Sequence, residues 1–192
     1  MMKKTLAILS QTQVLESQLF SQLQGHCFGF SLYCLLRLQY PEHQILTDDV
    51  GVDARSLQTR YDENKKNDGP IIVLPGLIER QGDVCAMTLT KVDTKWRINS
   101  FPEGLLDRGP CVFYFAVADG EEGHTVYLDP GGPTGDAVIC DSHDRFLQKT
   151  MPAHGVQAVM VQKITDYFLA QHENAVSGQI LLQTICYEKT MG

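Results

Sequence analysis

The sequence has no apolar run of the length that a membrane-spanning helix needs, which is about 20 residues. Its N-terminus only faintly resembles a secretory signal, because the apolar stretch is limited to Leu6–Leu9 and the polar residues 11–13 follow at once. A signal peptide has an apolar region of about 7–15 residues. Met2 also excludes N-myristoylation, which requires glycine at that position. We therefore expect no membrane span and no cleaved signal.

Positive charge is scarce, with 16 Lys and Arg against 23 Asp and Glu and a net charge of −7. Binding to nucleic acid or to an anionic membrane needs clustered Lys and Arg that neutralise phosphate, so we expect no nucleic-acid partner.

The six cysteines include no C-x-x-C pair, the spacing typical of zinc knuckles and redox sites. Cys85, Cys111 and Cys140 lie in apolar runs, as small buried hydrophobic residues do. We interpret all six as reduced thiols, which indicates a reducing cytosol.

Other absences bear on domain organisation. The 192 residues contain no internal repeat and no long low-complexity tract, which indicates a single domain over residues 1–192. Within it, residues 1–20 are expected to form a peripheral helix or a flexible segment. Apolar residues at helical spacing predict four helices, which cover about 15–23, 27–40, 53–61 and 156–171.

Runs rich in β-branched and aromatic residues, bounded by turn residues, predict strands at 84–91, 95–99, 111–118, 124–128, 137–141 and 179–187. The first two are predicted to form a hairpin around Val92-Asp93-Thr94, and 111–118 is expected to pair with 124–128. Ile71–Leu74 could be a strand or a loop. Helices that come first, an antiparallel sheet that follows and a late helix that packs back indicate the α+β class.

Cys27 is the strongest candidate for a nucleophile. It lies in the segment 25–31, Gly-His-Cys-Phe-Gly-Phe-Ser, at the first turn of a predicted helix. The free N–H groups and the dipole at a helix N-terminus favour negative charge, which lowers the pKa of a thiol. The Cys27 N–H would also point at a developing oxyanion, with Gln22 or Gln24 as a second donor. Gly25 and Gly29 would let a substrate backbone approach. The alternative is an inert helix cysteine beside packing glycines.

His124 is the candidate base. It follows a turn and begins a strand that is paired with the most apolar strand of the chain, where an imidazole needs a polar partner or water. The alternative is a half-exposed hairpin histidine. His26 is less attractive because adjacent helical residues point in different directions, and His143 is expected to lie in a loop.

Asp141 is the candidate group that orients His124. It ends a predicted strand beside the strand of His124, where its carboxylate could accept the imidazole N–H and fix the tautomer. Asp129 lies about 16 Å along an extended chain from His124, too far to contact it. Asp144 is a further possibility.

Taken together, three motifs resemble the papain-like cysteine peptidases, and most closely their YopT-type branch of bacterial effectors. They are G-x-C-x-G-x-S at 25–31, G-H-T-V at 123–126 and V-I-C-D at 138–141. The cysteine would open a helix, the histidine a strand, and the aspartate would close the next strand. The resemblance covers about residues 20–187 in element order. The family's Phe-Phe-Asp-Pro-Asn motif is replaced by Ile-Cys-Asp-Ser-His at 139–143, which keeps the aspartate and lacks the Pro-Asn.

The resemblance implies a papain-like α+β fold in which N-terminal helices pack on an antiparallel sheet and Cys27, His124 and Asp141 form a catalytic triad. It implies a cysteine protease that cleaves a protein substrate of a host cell, as a secreted effector in the host cytoplasm; a cytoplasmic protein is the alternative location. A glutamine deamidase or a transglutaminase could use the same triad, and a non-catalytic protein-interaction domain could keep the same fold. We expect a monomer.

We expect no metal and no other cofactor. Cys140-x-x-His143 and His26-Cys27 together could suggest zinc, but the two pairs differ in pattern, whereas structural zinc sites usually combine four ligands with paired short spacings.

Overall fold

The structure is a computed structural model. It describes residues 22–39, 46–47, 49–65, 71–80, 83–97, 101–117, 123–132, 135–144, 147–171 and 181–190. The predicted helix at 15–23 lies outside these residues except for its end, where Leu23 is fully buried.

Three α-helices lie within the described part of the chain. They are α1 (Cys27–Gln39), α2 (Val50–Lys65) and α3 (Val156–Gln171), and a short 3-10 turn at Ala153–Gly155 leads into α3. The prediction of α1 and α3 is confirmed almost to the residue. The predicted helix at 53–61 is confirmed and is longer at both ends.

Among the residues described above, seven strands form one sheet in which every neighbouring pair is antiparallel. The strands are β1 (Ile71–Arg80), β2 (Asp83–Arg97), β3 (Cys111–Val117), β4 (Gly123–Asp129), β5 (Asp136–Cys140), β6 (Gln148–Pro152) and β7 (Leu181–Thr190). Their order across the sheet is β1-β2-β7-β3-β4-β5-β6. The predicted pairing of β3 with β4 is confirmed, with Phe115 opposite His124.

The hairpin predicted around Val92-Asp93-Thr94 is wrong. These three residues lie inside β2, which runs unbroken for 15 residues, and they pair with 184–186 of β7. A partner strand some 90 residues away supplies the backbone hydrogen bonds, so the local turn preference of the Asp is overridden. Ile71–Leu74 is strand and belongs to β1, and β6 was not anticipated from the sequence.

Successive side chains of a strand point to opposite faces of the sheet, so the core is divided into two parts, one on each face. On β4, Tyr127 packs with α1 and α2, whereas Val126 and Leu128 pack with α3. Both faces are therefore covered by helix, and the α+β class is confirmed. The largest fully buried side chains include Phe28, Phe30, Phe113, Phe115 and Phe168, each of which contributes about 1.5–3 kcal/mol by burial.

Gly29 sets the close approach of α1 to α2. A Cβ at this position would collide with the Ala54 carbonyl oxygen and lie 2.7 Å from the backbone nitrogen of Gln58. The Gly29 N–H also donates to Gln58 Oε1 at 2.9 Å. The expectation that Gly29 leaves room for a substrate backbone is therefore wrong, because this space is filled by α2.

We expect Gly29→Ala to lower the free energy of unfolding by about 1–3 kcal/mol, because α2 backbone must move to admit the methyl group. Gly155→Ala is the matched control, since a Cβ there meets nothing within 4 Å. Urea denaturation of both variants measures the difference. Equal midpoints for the two variants would contradict the packing role of Gly29.

Candidate active site

Cys27 lies at the first residue of α1, as the sequence predicts. Gly25 makes this start possible, because it adopts φ +75°, a conformation that side chains disfavour. The preceding turn is closed by a hydrogen bond from the His26 N–H to the Leu23 carbonyl at 3.0 Å. His26 Nδ1 lies 2.8 Å from the Gln24 carbonyl oxygen, so this neighbouring ring is engaged with backbone.

His124 is the second residue of β4 and only 3% exposed. Gly123 before it must lack a side chain, because a Cβ there would overlap the Tyr114 hydroxyl group on β3. The glycine of the Gly-His motif therefore makes room for a tyrosine next to the candidate base. Burial raises the pKa of Tyr114 to about 12, with neighbouring tyrosines and Cys27 adding to the shift, so its hydroxyl stays protonated.

Asp141 follows β5 directly, and β5 is the neighbour of β4. His124 Nε2 lies 2.8 Å from Asp141 Oδ1, and both residues are buried. The Cys27 thiol lies close enough to the His124 side chain and to Thr125 for both to lower its pKa. The fold thus brings Cys27, His124 and Asp141, which are far apart in sequence, into one group of interacting side chains.

The electrostatics of this group favour a charged thiolate and imidazolium. Burial alone lowers the pKa of His124, but its hydrogen bonds to Asp141 and Cys27, together with their negative charges, raise it to about 9. Burial alone raises the pKa of Cys27, yet the hydrogen bond and charge of His124, with Thr125, lower it below its usual value. The two groups therefore stabilise each other's ionised forms.

Asp141 remains ionised throughout the ordinary pH range. Burial alone would raise the pKa of this carboxyl, but its hydrogen bonds and ion pairs with His124 and Lys163 hold it far below the usual range. An ionised carboxylate can only accept, so Nε2 of His124 must carry the proton in this pair. That assignment leaves Nδ1 as the ring nitrogen available to the thiol.

Four residues around the triad were not singled out from the sequence: His143, Lys163, Tyr167 and Thr125. The His143 ring stacks on His124 with centroids 4.2 Å apart, and Tyr167 stacks on it at 5.4 Å. His143 lies in the loop after β5, as predicted. Burial and the charge of His124 lower the pKa of His143, so its ring is neutral at pH 7. Lys163 and Tyr167 lie four residues apart on one face of α3, but this spacing alone does not indicate that they contact the triad.

Asp144 and Asp129 do not replace Asp141. Asp144 Oδ2 is engaged by Lys163 at 2.9 Å and by Lys149 at 2.8 Å. Asp129 lies at the far end of β4, where its Oδ1 accepts from the Gly131 N–H at 2.9 Å.

The first turn of α1 offers a donor to an oxyanion. The N–H of Cys27 has no acceptor within the helix, since the first helical bond recorded runs from Phe30 N to His26 O at 2.9 Å. Gln22 is exposed, and its Oε1 lies against Gly51. Its role as second donor, or that of Gln24, stays a prediction.

A cavity of about 650 Å³ lies at the other end of β4, and its lining does not include the triad. It is bounded by the loop 106–110, the turn 129–132 and the beginning of α3. The described residues of this turn line the cavity on the side remote from Cys27.

The described part of the chain contains no group of three His, Cys, Asp or Glu side chains arranged to hold a metal ion. Nor does any helix within it have both the length and the apolar character needed to cross a bilayer. His143, which the zinc alternative would have used, packs instead on His124.

We expect iodoacetamide to modify Cys27 at pH 7 at least about tenfold faster than the buried Cys34, Cys111, Cys140 and Cys186, because its pKa is lowered and Cys27 is less buried than these four. Reactivity should appear as pH rises through that lowered pKa, and His124 should stay protonated up to about pH 9. Peptide mass spectrometry after timed alkylation measures each site.

His124→Ala should move Cys27 modification to higher pH, and equally slow labelling of every thiol would contradict the prediction.

Comparison with known proteins adds no relative: no protein-family model, no curated protein and no solved structure matches this chain.

Proposed function

We propose that this protein is a thiol hydrolase with a Cys27-His124-Asp141 triad, and most specifically a cysteine protease that cleaves a protein substrate through a thioester. The observation that carries the proposal is the placement of the Cys27 thiol beside buried His124, which lowers the pKa of the thiol, while the His124 ring is hydrogen-bonded to buried Asp141. A structural cysteine has no need of a basic partner that is itself oriented by a carboxylate. A nucleophile does need both.

The chemistry follows from the positions of the protons. The Cys27 sulfur attacks a substrate carbonyl carbon as the thiolate, and the carbonyl oxygen becomes an oxyanion within reach of the Cys27 N–H. His124 then gives its Nδ1 proton to the leaving amine as the C–N bond breaks, which leaves a thioester on Cys27. Water attacks the thioester, His124 takes a proton from it, and the carboxylic acid product departs with the thiolate restored. His124 Nε2 keeps its proton throughout and donates it in a hydrogen bond to Asp141.

The arrangement of elements supports the finer proposal of a papain-like fold. A helix delivers the cysteine at its N-terminus, and adjacent strands of an antiparallel sheet deliver the histidine and the aspartate. The location in a host cell, the host protein as substrate and the monomeric state remain proposals that rest on the resemblance of the three motifs. The five described cysteines are all free thiols, which suits a reducing compartment.

Cys27→Ala and His124→Ala should each reduce turnover by about 10⁴-fold or more, because each removes a group that bonds to or exchanges protons with the reacting atoms. Asp141→Asn should have a smaller and more variable effect, up to about 10⁴-fold, since other groups also hold the imidazole ring. Steady-state kinetics on a protein substrate provide the rates, and circular dichroism checks that each variant is folded. Full activity in His124→Ala would exclude His124 as the base.

The bond that is broken can be identified by mass spectrometry of a host-cell lysate treated with the wild-type protein or with Cys27→Ala. New peptide termini that depend on Cys27 are the expected result. A gain of about one dalton on glutamine would instead identify a deamidase, and glutamine-linked amines would identify a transglutaminase, since these differ only in the carbonyl attacked and in what resolves the thioester. Identical lysates together with unreactive Cys27 would favour an interaction domain without catalysis.

A further inference from the structure

Asp141 is a buried carboxylate, 6% exposed. Its two oxygens have different hydrogen-bond partners. Oδ1 lies 2.8 Å from His124 Nε2 and accepts the His143 backbone N–H at 2.9 Å. Oδ2 accepts from Lys163 Nζ at 2.6 Å. The carboxylate therefore cannot rotate without breaking bonds on both sides, and the oxygen that faces the imidazole is fixed.

Lys163 reaches this position from α3, on the face of the sheet opposite α1. Its Nζ also lies 2.9 Å from Asp144 Oδ2, so it links two carboxylates of the loop that follows β5. Lys149 pairs with the same Asp144 oxygen at 2.8 Å. The ion pairs of Asp141 are with His124 and Lys163 and do not include Lys149. The two lysines thus offer a natural comparison, since only one of them contacts the triad.

A buried anion needs a partner of opposite charge, because desolvation of an unpaired carboxylate costs several kcal/mol. His124 provides that charge only while it holds two protons. Whenever it gives one to a leaving group, a neutral ring would leave Asp141 uncompensated in the interior. Lys163 is a cation at every stage of the cycle, because hydrogen bonds to Asp141 and Asp144 and the charges of both outweigh burial and raise its pKa.

We propose that Lys163 is a positioning residue that keeps Asp141 ionised and keeps Oδ1 turned toward His124 throughout the reaction. This inference rests on the proposed function, since it assigns a role within the same triad. Lys163 acts on the nucleophile through two intermediaries, Asp141 and His124.

The direction of its effect follows from the charges around Asp141. The titratable groups that face this carboxylate or its partner are His124 from β4, Lys163 and Tyr167 from α3, Cys27 from α1, and His143 and Asp144 from the loop after β5. Without Lys163, the carboxyl would take up a proton at higher pH. A neutral Asp141 supports the imidazolium less well, so the Cys27 thiolate would also form only at higher pH.

The test compares Lys163→Met, Lys163→Arg and Lys149→Met in the full chain. Two pH profiles are recorded for each: the rate at which iodoacetamide modifies Cys27, localised by peptide mass spectrometry, and kcat/KM on a cleaved substrate. We expect the acid limb of both profiles to move up by about one pH unit or more in Lys163→Met. Lys163→Arg should retain most of the wild-type profile because it keeps the charge, and Lys149→Met should match the wild type.

The outcomes separate this inference from the proposed function. An ordinary thiol titration of Cys27 in the wild type would end the proposed function itself. An activated Cys27 in the wild type with an unshifted acid limb in Lys163→Met would overturn the role of Lys163, as would an equal shift in Lys149→Met. If circular dichroism shows that Lys163→Met is unfolded, Lys163→Gln removes the charge with little change of shape, and the same criterion applies to its profile.

Discussion

The hydrogen bond between His124 and Asp141 is the interaction on which the candidate site depends. It lies in the interior, where neither group is stable as an isolated ion, so the bond can exist only because the fold surrounds it with compensating partners. Asp141 orients the ring, and the oriented ring in turn lowers the pKa of Cys27. Ring stacking with His143 and Tyr167 holds the imidazole from its faces, while the carboxylate holds it from its edge.

The three-layer architecture explains how the site can be buried and still reach a substrate. The sheet separates α1 from α3, and the triad takes a residue from α1, one from β4 and one from the end of β5. The charged partner of Asp141 comes from α3, behind the sheet. Cys27 is partly buried whereas His124 and Asp141 are buried, and the low polarity around their ion pair strengthens it.

The glycines near the site have different structural functions. Gly25 adopts a backbone conformation that lets the chain enter α1, Gly29 allows α2 to approach α1, and Gly123 makes room for the Tyr114 hydroxyl group. Gly29 and Gly123 therefore allow close packing around α1 and β4, the elements that carry Cys27 and His124. The relative positions of Cys27 and His124 depend on this packing, and in the proposed mechanism a displacement of about 1 Å between them would be costly in rate.

The sequence by itself determined α1, β3, β4 and α3, because each has a strong local pattern of apolar residues, and it singled out Cys27, His124 and Asp141 as candidates because a helix start, a strand start and a strand end are local features. It could not determine the long strand β2, whose turn-like residues 92–94 become strand only through pairing with β7. It also could not reveal the contacts of Lys163, His143 and Tyr167 with the triad. Those contacts join residues that are 19 to 43 positions apart, and only the packing of α3 and the β5–β6 loop around one end of the sheet decides which side chains meet there.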